Sequence, residues 1–379
     1  MFRRSNMTHN NVIQRNEVTK NLGSIKWMLP RSFAWLWMTF LFLFFPVLIH
    51  SQESFRILFW NVENLFDTKD DPHKNDNEFL PDATRHWNHF RYREKLKQLA
   101  KGIIASGKEY VPDLVGLCEV ENDSCLYDLT RYSPLREADY RFVMTDSPDQ
   151  RGIDVALLYQ RGSFKLLQHQ SIRIPYKQWK KGPTRDILHV VGKVVSGDTL
   201  DVFVCHMPSR SGGQAKSEPY RLLTTQVLKQ AVDSLMSVRK NPSVVVMGDF
   251  NDYPTNKSMK RLCSDGRLRN LMKGKKYGTY RYRGEWGILD QFLVSGSLLK
   301  RRGSICTSAK DAQILRHDFL LEEDEKYGGY KPFRTYNGMK YLGGFSDHLP
   351  ITLDLRMVIR DDKGYYSKKS WPDRVALRR

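Results

Sequence analysis

In this sequence of 379 residues, carboxylates, amides and imidazoles recur directly after short apolar runs. Asn61 and Glu63 follow the run FRILFW, and Glu119 follows LVGLC. His206 follows LDVFVC, Asp249 and Asn251 follow VVVM, and Asp290, Asp347 and His348 border two further runs. A side chain at the end of a strand is where a rigid scaffold aims chemistry into a cleft. A carboxylate there suits a hard cation, and Mg²⁺ takes few protein oxygens. His206 is followed by Arg210, Gly212 and Gly213, whose open backbone suits an anion. Asp249 and Asn251 alternate, so on an extended chain they point the same way. A carboxylate beside an amide suits a general base with a donor that positions its water. The pair Asp347-His348 sets an imidazole before an apolar run, and a second carboxylate, Asp290, can orient it and hold it protonated against an anion. Arg151 and Arg210 lie close to these motifs as candidate phosphate contacts. Singly, each residue is as well explained as a surface loop, a structural histidine or a strand cap. Together, these strand-end motifs in one chain weaken that explanation.

The runs that must position these groups are short and rich in β-branched and aromatic residues. They fall at 55–60, 114–118, 153–159, 188–195, 200–205, 244–247, 289–294 and 351–355. Each has the length of a strand. Several are apolar nearly throughout, as for strands covered on both faces. Between them, 92–104 places Leu96, Leu99, Ile103 and Ile104 on one helical stripe, and 218–238 does the same with Leu223, Val227, Leu228, Ala231 and Leu235. Strands and helices alternate without linker or repeat, which predicts one α/β domain over 53–358. Residues 67–89 and 327–344 read as long loops, and 359–379 as a basic C-terminal tail.

Hydrophobic residues make up 40% and charged residues 27%, which excludes a disordered chain. The formal charge of +19 favours acidic partners such as nucleic acid, anionic lipid or phosphorylated small molecules. Residues 33–49 form an uncharged apolar run preceded by Arg31, which reads as a signal peptide within 1–51, with an uncleaved signal anchor as the alternative. A start at Met28 gives a leader of ordinary length. Without 1–51 the chain keeps 55 basic and 41 acidic residues, so the charge does not come from the leader. The expected location is outside the cytoplasm, periplasmic or secreted, with membrane contact only through an uncleaved N-terminal segment. The five cysteines, at 118, 125, 205, 263 and 306, are too few for a disulfide framework. Cys118 and Cys205 read as small buried hydrophobes.

The order N-x-E, E, H, GDxN, LDQ, SDH resembles the endonuclease/exonuclease/phosphatase superfamily of deoxyribonuclease-I-like enzymes. The likeness runs from Phe55 to Leu355 and is nearest to the exported bacterial branch in SPDQRGIDVALLY, HMPSRSGG and GTYRYRGEWGILDQFLV. It implies a four-layer α/β sandwich, two mixed β-sheets packed face to face with helices outside. By the same likeness Glu119 is the principal metal ligand, assisted by Asn61, Glu63 and Asp347. Asp249 and Asn251 position and activate water, His206 and His348 contact the phosphate or leaving oxygen, and Asp290 pairs with His348. Cys205 departs from the pattern, which has a more polar residue before the histidine. The implied cofactor is Mg²⁺, with Mn²⁺ or Ca²⁺ as alternatives, and the implied reaction is phosphodiester hydrolysis by in-line water attack. No protein partner is expected. Basic balance, the Arg/Tyr/Trp-rich stretch 277–286, Arg151 and Arg210 lean toward nucleic acid and a nuclease. A lipid, inositol phosphate or small-molecule phosphoesterase is the alternative, for which Trp87, Trp179 and Trp286 are the candidate membrane contacts. A non-catalytic phosphate-binding module is the second alternative.

Overall fold

The computed structural model describes residues 52–176, 182–300 and 303–358. The leader, the Met28 start, Trp179 and the tail lie outside the described residues. The chain begins with β1 (Gln52–Leu65), α1 (His89–Ala105), β2 (Leu114–Val120), α2 (Asp123–Arg131), β3 (Arg141–Met144) and β4 (Asp154–Tyr159). It continues through β5 (Phe164–Ile172), β6 (Ile187–Val194), β7 (Thr199–His206), α3 (Gln214–Val238), β8 (Ser243–Asp249), α4 (Lys257–Leu262) and β9 (Leu268–Asn270). The hairpin β10 (Tyr280–Tyr282) and β11 (Glu285–Gly287) precedes β12 (Asp290–Ser295), β13 (Ile305–Cys306) and β14 (Ala312–Ile314). Two small ribbons, β15 (Leu321–Glu323) with β16 (Tyr330–Pro332) and β17 (Tyr336–Asn337) with β18 (Lys340–Tyr341), lead to β19 (Ile351–Val358).

Among the described residues the long strands form two mixed sheets. One has the order β13-β19-β1-β2-β4-β3, with β14 also on β19, and the other has the order β5-β6-β7-β8-β12-β9. Each sheet holds one parallel pair, β1 with β2 and β7 with β8, and the other pairings are antiparallel. Parallel neighbours need a crossover, and α1 and α3 supply it. The inner faces of the two sheets meet in one core that includes Phe55, Ile57, Phe59, Val245, Met247 and Phe292. A second core lies between the first sheet and α1 and α2, and a third between the second sheet and α3 and α4. Three buried seams separate four layers, helix, sheet, sheet and helix, as expected.

All eight expected strands and both helices are present, with ends shifted by a few residues. The short helices α2 and α4, the edge strand β5 and the small ribbons go beyond the sequence reading. β5 is exposed along most of its length and lacks an apolar alternation to betray it. The loop 67–89 holds a single helical turn, Asn77–Phe79, and is anchored by buried Trp87, whose Nε1 donates to the Phe66 carbonyl at 3.0 Å. Gly248 is required by packing: a Cβ there would collide with the Cys205 carbonyl where β7 and β8 run side by side.

Candidate active site

The carboxyl ends of both parallel pairs lie at the same end of the sandwich, where open α/β sheets place their ligands. β1 and β2 deliver Asn61 and Glu119, and β7 and β8 deliver His206 and Asp249. β12 runs antiparallel to β8 with Asp290 opposite Asp249. His348 precedes β19 and is held on the hairpin by a bridge to Tyr280 and by Leu349 N–H on the Thr279 carbonyl at 2.7 Å. Trp60, buried against α1, donates through Nε1 to the His348 carbonyl at 2.9 Å.

Local backbone strain marks these strand ends. Glu63, Asn64, Glu119 and Asn251 have φ of 51°, 54°, 64° and 49°, in the left-handed region. Such residues cost on the order of 1–3 kcal/mol each and persist only where surrounding structure holds them. The register of β1 against β2 shifts between Asn61 and Leu65, and that of β2 against β4 between Cys118 and Val120. These irregularities re-aim Glu119 out of the strand alternation, as bulges beside active sites do.

Asp249 is buried and accepts three hydrogen bonds. Its Oδ1 accepts from Asn251 N–H at 2.9 Å, and its Oδ2 from Asn251 Nδ2 at 3.3 Å and Asn61 Nδ2 at 3.1 Å. Burial raises its carboxyl to about 6, with the His348 charge opposing and Asp290 adding. Glu119 Oε2 accepts from Asn64 N–H at 3.0 Å, and Oε1 lies 3.5 Å from Asn61 Nδ2. His348 Nδ1 sits 2.7 Å from Asp290 Oδ2. Burial alone would deprotonate this ring, but the Asp290 and Asp249 charges outweigh it and push its pKa well above the usual histidine range. His206 goes the opposite way: burial, then Arg185, Arg151 and His348, push it well below that range. Its Nδ1 is buried without a hydrogen-bond partner. One imidazole is therefore charged and the other neutral.

Around a common point, His206 Nε2 lies 3.8 Å from Glu119 Oε1 and 3.7 Å from Asp249 Oδ2, and His348 Nε2 lies 3.9 Å from Asp249 Oδ2. These separations are too long for hydrogen bonds and leave room for an intervening ion or phosphoryl oxygen. Arg151 stands at the edge, bonded to Asn64 Oδ1 and 3.9 Å from Glu119 Oε2.

Four expected site residues are arranged differently. Glu63 and Asp347, expected as metal ligands, flank the Arg334 guanidinium at 3.4 and 3.1 Å. Glu63 also accepts from Thr335 N–H at 2.7 Å. Lys95, fully buried in α1, donates to Thr335 Oγ1 and the Phe345 carbonyl, and burial brings its ammonium down to about 8 while Glu63 and Asp347 oppose. Two protein cations thus accompany these two carboxylates. Arg210, expected to contact phosphate, instead braces the Asp249 loop. It donates to the Asn251 carbonyl at 2.7 Å and Asn256 Oδ1 at 3.1 Å, and lies 4.1 Å from the Tyr253 ring centre. Asn61 presents its amide nitrogen to the acids, because its Oδ1 accepts from Glu63 N–H at 3.0 Å.

Glu119 offers the hard carboxylate oxygen that a divalent ion takes. Asp249, Asp290 and His348 also bring donor atoms within 4.8 Å of one another. Within that trio His348 Nδ1 and Asp290 Oδ2 are already paired with each other at 2.7 Å.

Lys95 and Arg334 were not singled out in the sequence. Lys95 was detectable as a charge on the buried stripe beside Leu96 and Leu99. Arg334 carries no local signal, since its partners come from elsewhere in the chain.

A four-layer sandwich with carboxylates and imidazoles converging on the ends of two parallel strand pairs defines a metal-dependent phosphoester hydrolase. The sequence matches the Endonuclease/Exonuclease/phosphatase family over residues 56–357, and the chain belongs to that family. Its fold is similar to that of an endonuclease/exonuclease/phosphatase family protein from Bacteroides thetaiotaomicron (TM-score 0.55, 17% identity, 81% of this chain and 99% of that one). It is also similar to a mannosyl-6-phosphatase from Bacteroides thetaiotaomicron (0.54, 16%, 79% and 99%) and to a family member from Bacteroides vulgatus (0.51, 15%, 80% and 99%). No curated protein matches the sequence.

Proposed function

We propose that this enzyme is a Mg²⁺-dependent phosphodiesterase that cleaves nucleic acid, acting outside the cytoplasm. The observation that carries the substrate is the β10–β11 hairpin. Tyr280 lies against His348, with ring centres 4.8 Å apart, so the hairpin borders the reacting centre. Exposed Tyr282 lies under Arg283 at 5.2 Å, and exposed Tyr277 lies under Arg316 at 4.6 Å. Arg316 also covers Trp286 at 4.8 Å. Aromatic rings with guanidinium groups stack bases, and the basic chain suits a phosphate backbone. Export rests on the leader sequence alone.

In this reading a bound divalent cation beside Glu119 supplies Lewis-acid stabilisation of charge on the phosphoryl oxygens. Asp249, ionised and oriented by Asn61 and Asn251, accepts the proton of the attacking water. The charged His348, held by Asp290, donates from Nε2 toward a phosphoryl or leaving oxygen. Neutral His206 turns its Nε2 toward Glu119 and Asp249 without adding charge repulsion to the cation.

The lipid alternative has less support, because Trp87 is buried and Trp286 half-buried. A small phosphomonoester is favoured by a different observation, a cavity of about 180 Å³ beside Glu63, Arg85 and Arg334. The solved mannosyl-6-phosphatase has a similar fold, which is compatible with that reading but does not select it. The test is turnover by the full chain of plasmid DNA, single-stranded DNA, RNA, mannose 6-phosphate, inositol phosphates and sphingomyelin, with Mg²⁺, Mn²⁺, Ca²⁺ or chelator. Metal-dependent cleavage of nucleic acid above the others is expected. Turnover of a sugar or inositol phosphate with nucleic acid left intact would replace this reading with the phosphomonoester one.

A further inference from the structure

We propose that Arg334 is a substrate-binding residue, a fixed protein cation that contacts a non-bridging oxygen of the phosphoester beside Glu119 and Asp249. The inference rests on the reading of that site as a phosphoester hydrolase, and it deepens the reading by adding a cation that belongs to the protein.

The geometry carries it in three steps. First, the guanidinium is held at the site and not loose on a loop. Its Nε and Nη2 reach Glu63 Oε1 at 3.4 Å, and Nη2 reaches Asp347 Oδ2 at 3.1 Å. Its backbone is docked as well: the Phe333 carbonyl accepts from Phe345 N–H at 2.6 Å and Ser346 N–H at 3.2 Å. A Cβ at Gly344 would collide with the Phe333 and Arg334 carbonyls, so this approach is as close as backbones allow. The docked segment runs directly into Asp347 and His348.

Second, the residue is not consumed by its partners. The Arg334 side chain is 35% exposed, whereas that of Glu63 is 6% exposed. It lines the cavity of about 180 Å³ together with Glu63, Asn64 and Arg85. Asn64, which also lines that cavity, holds Glu119 Oε2 through its backbone N–H at 3.0 Å.

Third, the charges do not call for an exposed arginine. Buried Lys95 already faces both Glu63 and Asp347. The Arg334 side chain, 35% exposed, stands more open than either partner, Glu63 at 6% and Asp347 at 21%. A guanidinium kept open on one edge, in a fixed position beside a site for an anion, matches the planar fork that reads phosphate oxygens.

The experiment compares the full-length chain with Arg334→Gln and with the paired variant Glu63→Gln/Arg334→Gln, which removes one anion and one cation together. Binding of inorganic phosphate in the presence of Mg²⁺ is measured by calorimetry, alongside kcat and KM on bis-p-nitrophenyl phosphate, Mg²⁺ affinity and the thermal midpoint. Loss of a charge-assisted contact should weaken phosphate binding and lower kcat/KM by about 10- to 100-fold in Arg334→Gln. The paired variant should regain thermal stability but not phosphate affinity. Phosphate affinity and kcat/KM at the wild-type level in the paired variant would overturn the proposal and leave Arg334 a structural counter-ion. Mg²⁺ bound more tightly by Arg334→Gln, with turnover intact, would overturn it too, since the arginine would then merely fill a metal-ligand position. If Arg334→Gln does not fold, the paired variant decides. Failure of the underlying reading looks different: the wild-type chain itself would neither turn over a phosphoester nor bind phosphate.

Discussion

Replacement of Asp290 by asparagine tests the charge state on which the catalytic reading depends. Asp290 Oδ2 lies 2.7 Å from His348 Nδ1, and both groups are buried. Asparagine keeps the shape and removes the charge. The Asp290 charge is the largest of the influences holding the His348 proton against burial. Removing one partner of a buried, hydrogen-bonded ion pair costs about 3–5 kcal/mol. The charged imidazole carries that cost, so the ring of the variant should be neutral at pH 7. A donor at a developing phosphoryl charge is then lost, and each 1.36 kcal/mol is tenfold in rate. We expect kcat to fall by about 10²–10⁴-fold, the range for a lost general acid or oxyanion donor, with KM changed only a few-fold. The assay is metal-saturated steady-state turnover at pH 7, with the His348 ring protons followed by NMR. A variant within threefold of wild-type kcat, or one whose His348 stays protonated at pH 7, would refute the assignment of the Asp290–His348 pair.

Two further outcomes follow from the same geometry. Glu119→Gln removes the charged hard ligand and should lower metal-dependent turnover by about 1000-fold or more. The rise in thermal midpoint that Mg²⁺ gives the wild-type chain by binding the folded state should disappear with it, and an undiminished midpoint shift would point to another metal ligand. Asp249 has a carboxyl raised by burial from 3.8 to about 6 in the metal-free fold. A raised folded value means that its contribution to stability is full below about 3.8 and is lost as pH rises through about 6. In chelator, Asp249→Asn should therefore gain stability relative to wild type between those values, measured by urea denaturation. A difference that stays constant with pH would show that Asp249 is not buried as a free acid.

Much of the site was legible in the sequence because it is written locally. Asn61, Glu119, His206, Asp249 and Asp290 each sit at the end of an apolar run, and strand-length runs can be read from β-branched and aromatic residues. Two helices were legible because apolar residues recur at helical spacing, and the match between parallel pairs and crossover helices follows from chain connectivity. Asp249 and Asn251 do meet, but through a turn and not through strand alternation: Asn251, at φ 49°, donates to Asp249 through N–H and Nδ2.

What the sequence could not show is which of several chemically similar groups meets which. Glu63 and Glu119 both follow strands, yet one lies against Arg334 and Thr335 and the other faces His206. Arg151 and Arg210 are both arginines beside a motif, yet one stays at the mouth of the site and the other ties down the Asn251 carbonyl. The two histidines differ in charge because Asp290 contacts one while Arg185 and Arg151 act on the other. The amino-acid sequence by itself determined the strands, the helices that cross between them and the kinds of groups at their ends, since these depend on neighbours along the chain. Only the tertiary structure decided the partners and protonation of those groups, because Coulomb forces and burial act through space and are set by distances that connectivity does not specify.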